Sequence, residues 1–233
     1  MMSELQVGGL TPLTSTDYPG CLAAVVFCQG CPWRCGYCHN PHLIPRDSAE
    51  KLAWPAVMDF LRRRRGLLDA VVFSGGEPTL QEGLSQAIAE VRRLGFRIGL
   101  HTGGTYPLRL KESLTLLDWV GMDIKADFAD YARVTGTPRS GDKALESARL
   151  LLESGIAHEF RTTVHPLHHT PEGLLCLAGS LRDLGVRNYV LQEFRAQGCA
   201  NPLLSTYPAT ELLDQALCER IGAMFETFSV RRA

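Results

Sequence analysis

The chain has 233 residues, and its 24 Lys and Arg against 25 Asp and Glu leave a formal net charge of −1. Apolar residues make up 45% and charged residues 21%, which excludes intrinsic disorder, and no apolar run is long enough to cross a bilayer. Near-zero charge argues against general affinity for nucleic acid, and the opening MMSELQVGG lacks the basic and apolar regions of a secretory signal, so a cytoplasmic location without membrane or direct nucleic-acid partners is expected.

Short apolar strands alternate with amphipathic helices along the chain. LTPLTSTDYPG reads as a hairpin added at one edge, ahead of a first parallel strand at Ala23–Cys28. A helix starts at Trp54–Pro55, where proline at the first helical position loses no hydrogen bond. Strand Ala70–Phe73 enters SGGEP, and the following helix carries Leu84, Ala87, Ile88, Val91 and Leu94 at helical spacing before Gly95 stops it. Strand Arg97–His101 leads to a helix over Pro107–Leu117. Strand Trp119–Lys125 leads to helical segments around Tyr131 and over Lys143–Ser154. Strand Glu159–Val164 precedes a helix over Pro171–Leu184, closed by Gly185. Strand Asn188–Phe194 precedes a loop and a final helix over Thr210–Phe228, in which Leu213, Leu217, Ile221, Met224 and Phe228 share one face.

Six strand-then-helix units imply a parallel sheet with helices packed outside. The expected architecture is an α/β fold: an open partial (β/α)6 TIM-like barrel with an N-terminal edge hairpin. Alternation by itself does not separate that barrel from a doubly wound sheet. One domain over 1–233 is expected, with a core at about 20–195 and a C-terminal loop and helix over 196–233.

A core of this size needs no disulfides, yet there are 8 cysteines. Four fall within FCQGCPWRCGYCHNP, a clustering that points to metal binding or catalysis in a reducing compartment. Cys176 and Cys218 lie in apolar helical patterns and read as small core residues. Cys21, Cys28 and Cys199 are left open, and His168-His169, which lies in a loop, reads as solvated rather than ligating. The spacing Cys31-x3-Cys35-x2-Cys38 places three soft ligands on one short loop, suited to an iron–sulfur cluster, zinc or copper. Three cysteines on a cubane cluster leave one iron open to an outside ligand. The rival is a Cys3His zinc site completed by His39 or His42.

In parallel α/β folds the reactive groups lie at the carboxyl ends of strands. Those ends carry Ser74-Gly75-Gly76-Glu77-Pro78, His101-Thr102-Gly103-Gly104, Asp123 with Lys125, Arg161-Thr162-Thr163, and Gln192-Glu193-Phe194-Arg195. The glycine pair lets the backbone approach a ligand closely and offer its carbonyls to an ammonium group.

At these residues the sequence resembles the radical S-adenosylmethionine superfamily, whose joint signature is CxxxCxxC followed by a GGE turn. DYPGCLAAVVFCQGCPWRCGYCHNP, VVFSGGEPTLQ, VGMDIKADFADYARVTG and EFRTTVHP are similar to the activases of glycyl radical enzymes, above all those that activate anaerobic (class III) ribonucleoside-triphosphate reductase. The resemblance runs from about residue 8 to residue 195. It implies one 4Fe–4S cluster on Cys31, Cys35 and Cys38, with S-adenosylmethionine chelating the fourth iron. Reductive cleavage would give a 5′-deoxyadenosyl radical that takes a hydrogen atom from a backbone glycine of the partner reductase. A flavodoxin- or ferredoxin-type donor would supply the electron.

By the same resemblance Tyr37 and His39 line the adenine side, and Gly75, Gly76 and Glu77 receive the methionyl ammonium. Asp123 and Lys125 match a DxK element, with Lys125 pairing with carboxylate or ribose, and Thr102 is retained. Two departures stand out. HTGG replaces the family's DTNG, putting His101 in the Asp place, and QEFR replaces a histidine-bearing stretch, leaving Gln192 or Arg195 near the adenosine. The alternatives are an activase of the pyruvate formate-lyase type and a small-molecule radical enzyme of the 7-carboxy-7-deazaguanine synthase type. A zinc-binding or electron-transfer module is the alternative from another class.

Overall fold

The computed structural model describes residues 4–206 and 212–232. Eight strands form one sheet in chain order: β1 (Val7–Thr14), β2 (Ala23–Cys28), β3 (Ala70–Gly75), β4 (Arg97–Thr102), β5 (Trp119–Asp123), β6 (Ala157–Val164), β7 (Asn188–Glu193) and β8 (Thr227–Arg231). β1 runs antiparallel to β2, the edge hairpin expected from the sequence, and every later pair is parallel. The helices between them are α1 (Trp54–Arg63), α2 (Leu84–Arg92), α3 (Pro107–Leu114), α4 (Tyr131–Thr135), α5 (Ser140–Ser154), α6 (Pro171–Leu184) and α7 (Gln215–Gly222).

Strand order resolves the choice that alternation left open. A doubly wound sheet reverses its order at a switch point. Here each parallel strand adds on the same side of the one before, so crossovers of one hand place the helices on one face and the sheet curls into an open barrel.

The period-2 alternation of the strands sorts side chains into two cores. Val26, Val71, Phe73, Ile98, Leu100, Val120, Met122, Phe160 and Leu191 belong to the larger core, which includes the buried helical stripes. Ala23, Val25, Ala70, Val72 and Trp119 form the smaller inner cluster, together with Tyr18 and Cys21 from the hairpin. Cys28 belongs to the larger core and Cys21 to the smaller.

Local signals account for the boundaries. In α6, Thr170 accepts from the Gly173 N–H at 3.1 Å, Pro171 opens the helix, and Gly185 ends it at φ 101°. Three expectations need correction. The final helix is shorter than expected: Asp214 caps it by accepting from the Leu217 N–H at 2.7 Å, and it stops at Gly222. The chain then extends as β8, parallel to β7, with Phe228 and Val230 packed against the larger core. The expected start at Thr210 lies outside the described residues.

Cys176 is exposed and is not a core residue, whereas Cys218 is half-buried and packs against the larger core from its edge. The buried stripe of α6 is Leu174, Leu177, Ala178 and Leu181, and Cys176 is rotated off it. His169 is buried rather than solvated, because its ring spans two backbone groups, the His165 N–H and the Lys125 carbonyl.

Candidate active site

The loop after β2 carries the three cysteines, and main-chain bonds fix it from both sides. The Cys31 N–H donates to Ile44 O at 3.0 Å and the Arg34 N–H to Thr135 O at 2.8 Å, while the Cys38 N–H closes a turn on Cys35 O at 3.1 Å. Cys31, Cys35 and Cys38 line one cavity of about 150 Å³. Tyr37, His39, Gly75, Gly76, Glu77, Thr102, Asp123 and Lys125 line the same cavity. Gln192 does not: β7 holds it half-buried beside Thr163 of β6 and Arg231 of β8. Trp33, Asn40, Ser74, His101, Gly103 and Thr163 also face the cavity. Of these, Trp33 and Asn40 went unread in the sequence, although both sit in the cysteine stretch.

The glycines of SGGEP owe their identity to packing. A Cβ on Gly75, where φ is 110°, would stand 2.5 Å from the Cys28 nitrogen, and one on Gly76 would run into the Gly30 carbonyl. Two glycines therefore let the turn after β3 lie directly against the cysteine loop. The Glu77 carboxylate is likewise occupied. It accepts from the Thr79 N–H at 3.1 Å, Thr79 Oγ1 at 2.5 Å, Thr102 Oγ1 at 2.7 Å and the Gly103 N–H at 2.9 Å. Burial pushes its pKa up against those four bonds. Thr102 in turn accepts from the Gly104 N–H at 2.9 Å, so both residues brace the site. Gly103 makes room for Trp33, whose ring a Cβ there would approach to 2.5 Å.

Asp123 binds two cations. Lys125 Nζ donates to Oδ2 at 3.0 Å and Arg161 Nε to Oδ1 at 2.9 Å. Burial works to raise the Asp123 pKa, but Arg161 and Lys125 hold it well below the carboxylate range. Lys125 also stands 5.7 Å over the Tyr37 ring. Tyr37 is buried with its hydroxyl unpartnered, and burial pushes its pKa up. His101 lies in a strand position where its Nε2 stands 2.8 Å from Asp17 O and 3.3 Å from Arg161 Nη1. A carbonyl only accepts, so Nε2 carries the proton and the Arg161 contact is not a hydrogen bond. Burial, and then Arg161, push the His101 pKa down to about 3, keeping the ring neutral.

Burial raises the thiol pKa values too, that of Cys31 to about 12 with the Glu77 charge adding to it, and those of Cys35 and Cys38 in the same direction. Among the described residues no group of three His, Cys, Asp or Glu side chains could hold a metal ion as they stand. The fourth ligand of a Cys3His zinc site is also out of place. His42 is exposed, and His39 turns Nε2 to the Arg195 carbonyl at 2.8 Å while stacking on Phe194. Three cysteine sulfurs lining one cavity, with the charged Asp123–Lys125 pair and an unpartnered buried hydroxyl beside them, fit an iron–sulfur cluster with a polar co-ligand.

Fold and site define a class: an open-barrel enzyme with a three-cysteine loop at the carboxyl end of its first parallel strand. Residues 25–173 match the model of the Radical SAM superfamily, and the chain belongs to it. Membership carries binding of a 4Fe–4S cluster and S-adenosylmethionine and makes the protein a radical SAM oxidoreductase.

A protein of Methanocaldococcus jannaschii, provisionally named a glycyl-radical enzyme activating enzyme, is 31% identical over 200 residues, 81% of this chain and 79% of that protein. The PqqA peptide cyclase of Gluconobacter oxydans is 34% identical over 143 residues, 58% of this chain and 39% of that protein. Among solved structures, Streptococcus suis SuiB bound to S-adenosylmethionine shares the fold with a TM-score of 0.65 at 13% identity, over 88% of this chain; the chain spans about half, 48%, of SuiB. Among the described residues no helix is long and apolar enough to cross a membrane.

Proposed function

We propose that this chain is a glycyl radical enzyme activase whose partner is anaerobic ribonucleoside-triphosphate reductase. In this reading Cys31, Cys35 and Cys38 hold one 4Fe–4S cluster. When bound, the cluster and S-adenosylmethionine supply an electron and a carbon radical able to take a hydrogen atom. The rest of the site positions and shields. Gly75 and Gly76 bring the backbone of their turn against the cysteine loop. Lys125, paired with Asp123, presents a cation to the methionyl carboxylate or the ribose. Tyr37 and His39 line the adenine side, and Glu77 and Thr102 lock the two loops that frame the ammonium.

One observation carries the choice of a protein substrate. Most of the lining of that cavity of about 150 Å³ is assigned to the cluster and S-adenosylmethionine, which leaves little of it for a second small molecule. A second substrate has to enter through the open side of the barrel, and a backbone segment of a protein partner can do so. The match over four-fifths of both chains to the M. jannaschii protein supports the activase class. The strings DYPGC, VVFSGGEPTLQ and EFRTTVHP support the reductase within it.

The test is anaerobic reconstitution with reductant, S-adenosylmethionine and candidate partners, read by electron paramagnetic resonance. A glycyl doublet on the reductase is the expected result. A doublet on a pyruvate formate-lyase type partner alone would move the chain to that activase type. Release of 5′-deoxyadenosine without any glycyl signal would favour a peptide or small-molecule substrate.

A further inference from the structure

A row of alternating charges crosses the barrel from the cavity to the last described strand. It starts with Lys125 Nζ, 3.0 Å from Asp123 Oδ2, and continues with Arg161 Nε, 2.9 Å from Asp123 Oδ1. Arg161 Nη1 lies 4.0 Å from Glu159 Oε1. Arg231 then pairs with Glu159: Nη2 donates to Oε2 at 2.9 Å, and Nη1 lies 2.9 Å from Oε1 as an ion pair without hydrogen-bond geometry, so Oε1 accepts no hydrogen bond. The Arg161 and Glu159 side chains are only 7% and 6% exposed. Arg231 belongs to β8, two strands from β6, and does not line the cavity.

Each carboxylate in this row sits between two cations. Taking away Arg231 leaves Glu159 buried with one cation in reach, Arg161. A buried carboxylate without its partner is strongly unfavourable, so the Arg161 guanidinium is drawn toward Glu159 and off Asp123. Asp123 then keeps only Lys125, and both shift in the cavity. The cause is the unpaired Glu159 charge and not the loss of a contact between Arg231 and any ligand.

We propose that Arg231 is a positioning residue for S-adenosylmethionine: by pairing with the Glu159 charge it leaves Arg161 on Asp123 and so fixes Asp123 and Lys125 in the cavity. The identity of the ligand rests on the function proposed above, whereas the coupling along the row stands on the geometry alone. β8, whose first two residues the sequence pattern places at the end of a helix, thus completes a site it does not touch.

The decisive measurement is the S-adenosylmethionine dissociation constant of the anaerobically reconstituted protein. Arg231→Gln should weaken binding roughly tenfold, the size of effect reached along coupled networks. The double variant Glu159→Gln/Arg231→Gln should recover to within about twofold, because no orphaned carboxylate is left to draw Arg161 away. Arg231→Lys, which keeps the charge and loses the guanidinium, should fall between, and it serves should Arg231→Gln fail to fold. Unchanged binding in the single variants, or no recovery in the double, would overturn the proposal; a direct contact from Arg231 to the ligand predicts that lack of recovery. The ¹³Cε resonance of Lys125, recorded without S-adenosylmethionine, should move in Arg231→Gln and return in the double variant. If the native protein binds no S-adenosylmethionine, the proposed function fails, and the Lys125 resonance alone still decides the coupling: a resonance that stays put refutes it.

Discussion

Thr102 Oγ1 donates to Glu77 Oε1 at 2.7 Å, tying the turn after β3 to the end of β4. Both residues come from motifs that read as ligand-binding, and each also commits a polar atom to the other loop. The carboxylate of the GGE turn works as a brace between two loops.

Glu77→Ala should therefore cost stability before it costs affinity. It orphans the Thr79 and Gly103 N–H groups in a buried site. An expected loss of about 2–4 kcal/mol follows from breaking a buried network of charge-assisted hydrogen bonds. Denaturant unfolding of the cluster-free protein checks this, and a loss under 1 kcal/mol would refute the bracing role.

Gly75→Ala should be among the most damaging single-methyl additions in the chain. The residue sits at φ 110°, and its new methyl group would meet the Cys28 nitrogen at 2.5 Å. Strain and collision together should cost about 3 kcal/mol or more. The same substitution at Gly155, with φ 70° but open space around it, should cost clearly less in the same unfolding assay.

His101 sets a pH dependence. Its folded pKa is pushed down to about 3 by burial and Arg161, whereas the unfolded ring titrates near 6.5. Between those values the unfolded chain binds a proton that the folded chain does not, so stability falls as pH falls through that window and rises as pH rises. A His101→Asn variant should show a slope shallower by about 1.4 kcal/mol per pH unit inside the window. Equal slopes for the two proteins between pH 6 and 4 would refute the assignment. His169, pushed down to about 4 by burial, adds to the same trend in both proteins.

The cysteines divide by position. Cys35→Ala should lose bound iron and acid-labile sulfide after reconstitution, because the cluster then has two of its three proposed ligands. Cys176→Ala, on the exposed side of α6, should keep both. Timed alkylation of the cluster-free protein should modify Cys176 first and the buried Cys28 last, since burial raises the Cys28 pKa and blocks access.

Much of the frame was legible. Ala23–Cys28 and Pro171–Leu184 appear at the bounds the sequence predicts, because an apolar run and a Thr–Pro…Gly frame are local signals. The last segment was not. Leu217, Ile221, Met224 and Phe228 fit a helical period, and Phe228 with Val230 fit a strand period equally well. The free edge of β7 decides between them by offering a ladder to β8. Cys176 failed for a related reason: its neighbours Leu175 and Leu177 are apolar, but the rotation of α6 on the sheet sets which side is buried.

The sequence by itself determined the chemistry: three cysteines at fixed spacing, a glycine pair one βα unit later, and the polar ends of successive strands. Those are properties of residue type and order, and they survive without coordinates. Only the tertiary structure decided what each polar group is free to do. It committed Glu77 to a brace, turned His39 to a carbonyl, left Gln192 off the cavity and joined Arg231 to Glu159 across 72 residues of chain. Which partner a charge or a hydrogen bond takes depends on distance in space, and chain order does not carry that distance.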